Sequence, residues 1–248
     1  NLWIGTFHSI CARILRMNID KIGYSNNFTI YDTQDQRTLI RDIIKDLGYK
    51  DDINPRLAQS VISNAKNKSL SPEDFLKMNF YMQNAGEIAE IFKKYEKKKY
   101  EYNALDFDDL IEKVLELFAK DKETLKYYQN KFEYIFVDEF QDTNNSQYEL
   151  IRFIAGNNQN VVAVGDADQS IYSFRGADIR NILNFEKDFP GCKTIKLEQN
   201  YRSTSKILNA ANELIANNLE RKEKNLWTEN KDGSDIAYKE TSVESEES

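Results

Sequence analysis

Two adjacent carboxylates, Asp138 and Glu139, follow directly on an apolar run, Tyr134-Ile135-Phe136-Val137. Apolar residues that stop at an acidic pair read as a buried strand delivering acid to the edge of a sheet. In open α/β sheets, ligands sit beyond the carboxyl ends of the strands. A carboxylate there suits Mg²⁺ held against nucleotide phosphates, with a neighbour to orient an attacking water. A second apolar run, Val161 to Val164, ends in Gly165-Asp166-Ala167-Asp168-Gln169, where Gln169 offers an amide to a water or a phosphate oxygen. A third, Thr194-Ile195-Lys196-Leu197, ends in Glu198-Gln199-Asn200-Tyr201-Arg202-Ser203. Arg202 carries a planar fork suited to phosphate, and Tyr201 a ring face for stacking. If the three strands are parallel neighbours, their ends meet at one edge and form a site for Mg²⁺ and a nucleoside triphosphate. Unrelated loop polarity is the competing reading. Between the second and third runs lies Ile171-Tyr172-Ser173-Phe174-Arg175-Gly176. Its aromatics and arginine suit single-stranded nucleic acid, where each stacked base contributes about 1–3 kcal/mol largely regardless of sequence. Packing of Tyr172 or Phe174 into the core is the alternative.

The elements that must position these groups fall into three segments. Residues 1–28 read as a strand around Trp3-Ile4, then a helix with Ile10, Ile14 and Leu15 at helical spacing, capped by Thr6 or Ser9. Residues 29–105 show a strand-like piece only at Phe28 to Tyr31. Asp32 or Thr33 caps a helix closed by Gly48; Pro55 and Ser71-Pro72 open two more; a long helix runs from about Ala85 to Tyr102. Its lysines, Lys93, Lys94 and Lys97 to Lys99, read as a solvated face. Residues 106–235 alternate, with strands at 134–137, 161–164 and 194–197 and helices at 107–119, 146–155, 178–187 and 203–217. Buried strands separated by helices predict an α/β fold with a parallel sheet flanked by helices, interrupted by an all-helical insertion.

Composition bounds the class. The chain has 248 residues, 40% hydrophobic and 30% charged, enough for one large or two small cores. Apolar runs fall well short of a membrane span, and no leader pattern opens the chain. The two cysteines, Cys11 and Cys192, lack metal-ligand spacing and fit a reducing cytoplasm. The net charge of −7 argues against a uniformly basic nucleic-acid coat but leaves room for a local basic groove. Glu240 and Glu244 to Glu247 belong to a Ser/Glu-rich tail expected to fray. The start without Met and the polar end lead us to expect a piece of a longer protein.

Five stretches, GTFHSICARILR (5–16), LDFDDLI (105–111), VDEFQDTN (137–144), VGDADQSIYSFRGADI (164–179) and LEQNYRS (197–203), together resemble in order the successive motifs of superfamily 1 DNA helicases, in particular the UvrD/PcrA/Rep group. The resemblance runs from about Trp3 to Trp227 and includes KNLWTEN (224–230). It implies a RecA-like parallel sheet, with residues 1–28 and 106–199 in the first motor domain. Residues 29–105 become its inserted helical accessory domain, and 200–248 the start of the second motor domain. It also implies ATP and Mg²⁺, 3′-to-5′ movement on single-stranded DNA, unwinding at single-/double-strand junctions, and work beside repair or replication proteins.

Residue by residue, Asp138 resembles the Mg²⁺ ligand and Glu139 the base that activates water. Gln169 resembles the γ-phosphate sensor, Arg202 an arginine finger supplied in cis, and Tyr201 the ring on adenine. Thr6 and His8 resemble backbone contacts to DNA. Tyr172, Phe174 and Arg175 resemble the base-stacking loop, in which many relatives carry Trp at the position of Phe174. Lys66, in Ser63-Asn64-Ala65-Lys66-Asn67, is placed against duplex phosphate. Asp106 to Asp109 either lie near the DNA-bearing face or simply cap a helix and pair with nearby bases.

One family element is missing. A phosphate-cradling loop needs G-x-x-x-x-G-K-[ST], and none of the nine glycines is followed by Lys. The chain alone is therefore expected to be inactive. Two other classes stay open: a non-catalytic DNA-binding or interaction module, and a metal-dependent nuclease using Asp138, Glu139 and Asp142.

Overall fold

Side-chain caps fix most helix starts in the computed structural model, which describes residues 2–49, 52–218 and 224–238. Helix α1 (Phe7–Asn18) begins at Thr6, whose hydroxyl accepts the Ser9 N–H. Helix α2 (Thr33–Asp46) opens on a reciprocal capping box between Asp32 and Asp35. Asn54 and Ser71 cap α3 (Pro55–Asn67) and α4 (Pro72–Met78), each with Pro in the first turn, where its missing N–H costs nothing. Helix α5 (Ala85–Glu101) follows, then α6 (Phe107–Lys120) behind an Asp106–Asp109 capping box. Asp121 caps α7 (Lys122–Lys131), and Asn144 with Gln147 caps α8 (Asn145–Ala155). Two one-turn helices, α9 (Arg180–Leu183) and α10 (Phe185–Asp188), precede α11 (Ser205–Ile215).

Strands are short. β1 (Thr29–Tyr31) pairs in parallel with β2 (Ala104–Asp106), and β3 (Ile135–Val137) in parallel with β4 (Val161–Ala163). The chain is thus a mixed helix/strand protein with small parallel sheets. Apolar faces gather into two cores. One joins Cys11, Ile14 and Leu15 of α1 to Val114, Leu117 and Phe118 of α6 and to Leu150 and Ile154 of α8. The other joins Ile40 and Ile43 of α2 to Ile62 of α3, Phe75 of α4 and Ile91 and Phe92 of α5. The β1–β2 pair stands where the chain leaves the first core for the second and returns.

Two compact units result: residues 1–166 with 170–182, and 167–169 with 183–248. The second contains an isolated parallel bridge between Gln199 and Trp227. Around it, Asn200 N–H donates to the Trp227 carbonyl at 2.7 Å and Trp227 N–H to the Glu198 carbonyl at 3.0 Å. Asn230 Nδ2 donates to the carbonyls of Tyr201 and Ser203. The two distant motifs LEQNYRS and KNLWTEN are therefore neighbours.

Several expectations need correction. Trp3-Ile4 forms no strand; Trp3 instead packs edge-on against Phe132 at 5.2 Å, with the Arg13 guanidinium 3.9 Å from its ring centre. Residues 194–197 form no strand either, and Ile195 and Leu197 are exposed, because no described strand pairs with them. The helix expected over 178–187 is two short turns. Residues 239–248, with the acidic tail, lie outside the described residues. Among the described residues no helix is long and apolar enough to cross a membrane.

Candidate functional site

The run Val137 to Asn144 is held residue by residue. Val137 ends β3, and its carbonyl accepts the Val164 N–H at 2.8 Å. Asp138 is exposed at the strand's carboxyl end, and its Oδ1 accepts the Glu139 N–H at 2.9 Å. Glu139 takes a left-handed conformation, φ 49° and ψ 45°. That conformation is uncommon for a residue other than Gly and is concentrated at functional sites. Phe140 is buried, with its ring 5.9 Å from Tyr148 and its N–H on the Val164 carbonyl at 2.9 Å. Gln141 is 1% exposed; its Nε2 donates to Glu139 Oε2 at 2.8 Å and its Oε1 accepts the Asp166 N–H at 2.9 Å. Burial and the nearby Glu139 raise the Asp142 carboxyl above the usual range. Thr143 is pinned by Asn181 Nδ2 and the Asp178 N–H, both donating to its carbonyl at 3.0 Å. Asn144 caps α8. Parallel pairing of β3 and β4 thus sets the turns after both strands side by side, with the acid pair exposed on one of them.

Of the other residues in the expected nucleotide site, Gln169 ends a 3₁₀ turn (Ala167–Gln169) in the second unit. Tyr201 and Arg202 belong to the same unit and are exposed, with Tyr201 Oη donating to Gln199 Oε1 at 2.8 Å. Asn200 Oδ1 accepts the N–H groups of Arg202 and Ser203 and shapes the turn that carries the arginine. Asp138 and Glu139 belong to the first unit.

The residues expected on the DNA side share the first unit. Thr6 is the exposed cap of α1. The His8 ring lies 5.6 Å from Phe107, and burial lowers its pKa against the opposing pull of Asp108. Asp108 accepts from Ser63 Oγ at 2.7 Å and Asn67 Nδ2 at 3.4 Å. A methyl group at Gly176, which closes the aromatic loop at φ 90°, would stand 3.8 Å from Asn67 Cβ. Asp108, Asn67 and the Gly176 end of the aromatic loop thus lie near one another. In that loop Tyr172 is 37% and Phe174 71% exposed, with ring centres 6.1 Å apart, which removes the core-packing reading of Phe174. The side chain of Arg175 lies outside the described residues.

Lys66 is the clear correction. It is 3% exposed, and its ammonium sits 2.6 Å from Asp106 Oδ1 and 2.5 Å from Asp109 Oδ1. Lys99 Nζ, also buried, meets Asp106 Oδ2 at 2.8 Å and Asp109 Oδ2 at 2.5 Å, and Tyr95 Oη donates to Asp106 at 3.0 Å. Burial works against the Lys66 ammonium, but Asp109 and Asp106 outweigh it and hold its pKa well above the usual value. A lysine so enclosed does not reach DNA phosphate. Sequence reasoning missed this network, although Asp106 to Asp109 as cap and ion-pair partners was the alternative left open. The other α5 lysines are a surface face, with Lys93 on Glu73 at 2.9 Å and Lys98 on Asp46 at 3.0 Å.

The network also bears on the nuclease reading. Among the described residues, the group of three acids able to converge on one cation is Glu96, Asp106 and Asp109, and Lys66 and Lys99 already fill it. Asp138, Glu139 and Asp142 do not form such a group.

Residues 1–190 match the UvrD/REP helicase N-terminal domain, and residues 195–248 the UvrD-like helicase C-terminal domain. The chain is 51% identical to the ATP-dependent DNA helicase PcrA of Staphylococcus epidermidis, over 99% of this chain and 34% of that protein. It is also 51% identical to the protein of the same name from Bacillus subtilis, over 96% of this chain and 32% of that protein. It therefore spans about a third of the length of the curated relatives it matches. The order of motifs, the acid pair at the end of β3 and the match along both domains together make this chain a member of the UvrD/REP helicase family.

Proposed function

We propose that the chain is part of an ATP-dependent DNA helicase that moves 3′ to 5′ along single-stranded DNA and opens single-/double-strand junctions. The observation that carries this reading is the Asp138-Glu139 pair, exposed at the carboxyl end of β3 beside the end of β4. Residues 1–28 and 106–199 contribute to a RecA-like motor domain, 29–105 form its helical accessory domain, and 200–248 begin the second motor domain. The protein works in the cytoplasm, alongside repair or replication proteins.

Asp138 supplies a hard oxygen donor suited to Mg²⁺. Bound there, the metal would neutralise charge on the nucleotide phosphates. Glu139 takes the proton of the attacking water, and Gln169 reads the γ-phosphate. Arg202 offsets charge on the transferring phosphoryl group, where such stabilisation does most of the catalysis. Tyr201 stacks on adenine. Thr6 and His8 hold the DNA backbone, and Tyr172, Phe174 and Arg175 engage the bases.

Phosphate-gripping residues must come from outside this sequence, so the purified 248-residue chain should show no DNA-stimulated ATP hydrolysis while the full-length protein does. Robust turnover by the chain alone would contradict that division of labour. In the full-length protein, Phe174→Ala should weaken binding of a labelled single-stranded oligonucleotide by about 1–3 kcal/mol, the usual contribution of one stacked base. Unchanged affinity in a fluorescence-anisotropy titration would remove Phe174 from the DNA site.

A further inference from the structure

We propose that Gln141 is a positioning residue for Glu139, holding its carboxylate in one orientation and tying it to the residues that flank the Gln169 turn. The inference rests on the reading of Glu139 as the base that activates water.

Both ends of the Gln141 amide are used, one on Glu139 Oε2 and one on the Asp166 N–H. The partners fix which way the amide faces, since an ionised carboxylate only accepts and a backbone N–H only donates. Glu in its place loses the donor when ionised, Lys loses the acceptor, and Met loses both. Space is reserved for this amide: a Cβ at Gly165 would stand 2.7 Å from Gln141 Oε1 and 3.1 Å from Phe140 N. The main chain of Gln141 is tied as well, its carbonyl accepting from Ser170 Oγ at 3.4 Å. Asp166 and Ser170 are the residues on either side of the Ala167–Gln169 turn.

Glu139 needs such a hold. Its backbone sits in a left-handed conformation that persists only where the surroundings over-determine it. Its side chain is exposed and would otherwise sample several rotamers. A base must stand within hydrogen-bond reach of the proton it takes, and small misplacements cost rate steeply. A buried amide that bonds Glu139 on one side and the turn after β4 on the other narrows that freedom.

The test is steady-state ATP hydrolysis by the full-length protein on single-stranded DNA, comparing wild type with Gln141→Met and Gln141→Glu. Met keeps length and volume while removing both hydrogen bonds. It should lower kcat about 10- to 100-fold, the scale of a misplaced catalytic group, with KM for ATP and affinity for DNA within about twofold and melting unchanged. Gln141→Glu sets a second carboxylate against the first, so the two share a proton and the acidic limb of the kcat–pH profile moves up by about one unit. A purely structural residue would leave that limb in place. A Met variant with kcat within twofold of wild type, or a Glu variant whose profile overlays wild type, overturns the assignment. If wild type hydrolyses no ATP, the ATPase reading falls and this inference with it.

Discussion

Asp106→Asn is expected to lower the unfolding free energy of the 248-residue chain by about 3–5 kcal/mol, the cost of breaking a buried ion pair by removing one partner. Asp106 accepts from Lys66 Nζ, Lys99 Nζ and Tyr95 Oη, and all four groups are buried. The asparagine still caps α6, so the loss measures charge rather than helix capping. What remains is two ammonium groups sharing one buried carboxylate, Asp109, and the half-buried Glu96. A surface control separates the terms: Lys93→Ala removes an exposed pair with Glu73 and should cost less than about 1 kcal/mol. Urea unfolding of the three chains measures both. A loss below about 1 kcal/mol for Asp106→Asn would mean that water reaches the cluster. Burial opposes the Asp106 carboxylate, but Lys66 and Lys99 hold its pKa well below the ordinary range. Its contribution is therefore present above the unfolded-state Asp range and is lost only as pH falls through the lower folded value.

Glu139→Gln is expected to reduce ATP turnover of the full-length protein by about 10²–10⁴-fold, the typical contribution of a positioned general base. ATP and single-stranded DNA affinities should stay within a few-fold of wild type. The amide keeps the shape of the side chain, and its oxygen can still accept from Gln141 Nε2, so the turn after β3 retains its geometry. Phe174→Ala predicts the opposite pattern, weakened DNA binding with the hydrolytic centre intact. Rapid-quench hydrolysis and anisotropy on the same preparations distinguish them. Identical defects in both variants would show that the two sites are not separate. Undiminished turnover in Glu139→Gln would remove Glu139 from the role of general base.

Legibility in the sequence followed the range of each interaction. Local signals translated directly: Asp32 and Ser71 cap helices where their types predict, because a cap is settled within a few residues. β3 and β4 were visible as apolar runs that end in polar residues, but the burial expected of them was not met: Phe136 and Val162 are exposed. Helix α7 was not, since Leu125 and Tyr128 are its main apolar contributions and no continuous stripe marks it. β2 was hidden because Ala104–Asp106 merges into the cap of α6, and strand length gives no signal at three residues. Residues 194–197 show the converse error, β-forming types without a described neighbour to pair with. The fate of Lys66 depended on Asp106 and Asp109, 40 and 43 positions away, and no local pattern announces partners at that distance. In the acid run, Asp138 and Glu139 stood out by type. Gln141, buried between them and the turn after β4, did not, because its value lies in having a donor at one end and an acceptor at the other.

The parallel pairing of β1 with β2 has a consequence for engineering the helical excursion from α2 to α5. The excursion begins after Tyr31 and returns at Ala104, yet those ends belong to paired strands about 4.8 Å apart. Closely spaced ends usually invite replacement of the intervening segment by a tight turn. Here a tight turn is excluded, because parallel strands run the same way and their link must travel back along the full strand, a dozen residues or more. The four helices are therefore the return stroke of a crossover. A graft that exchanges them for another helical unit preserves the seam only if the substitute leaves and re-enters in the same direction.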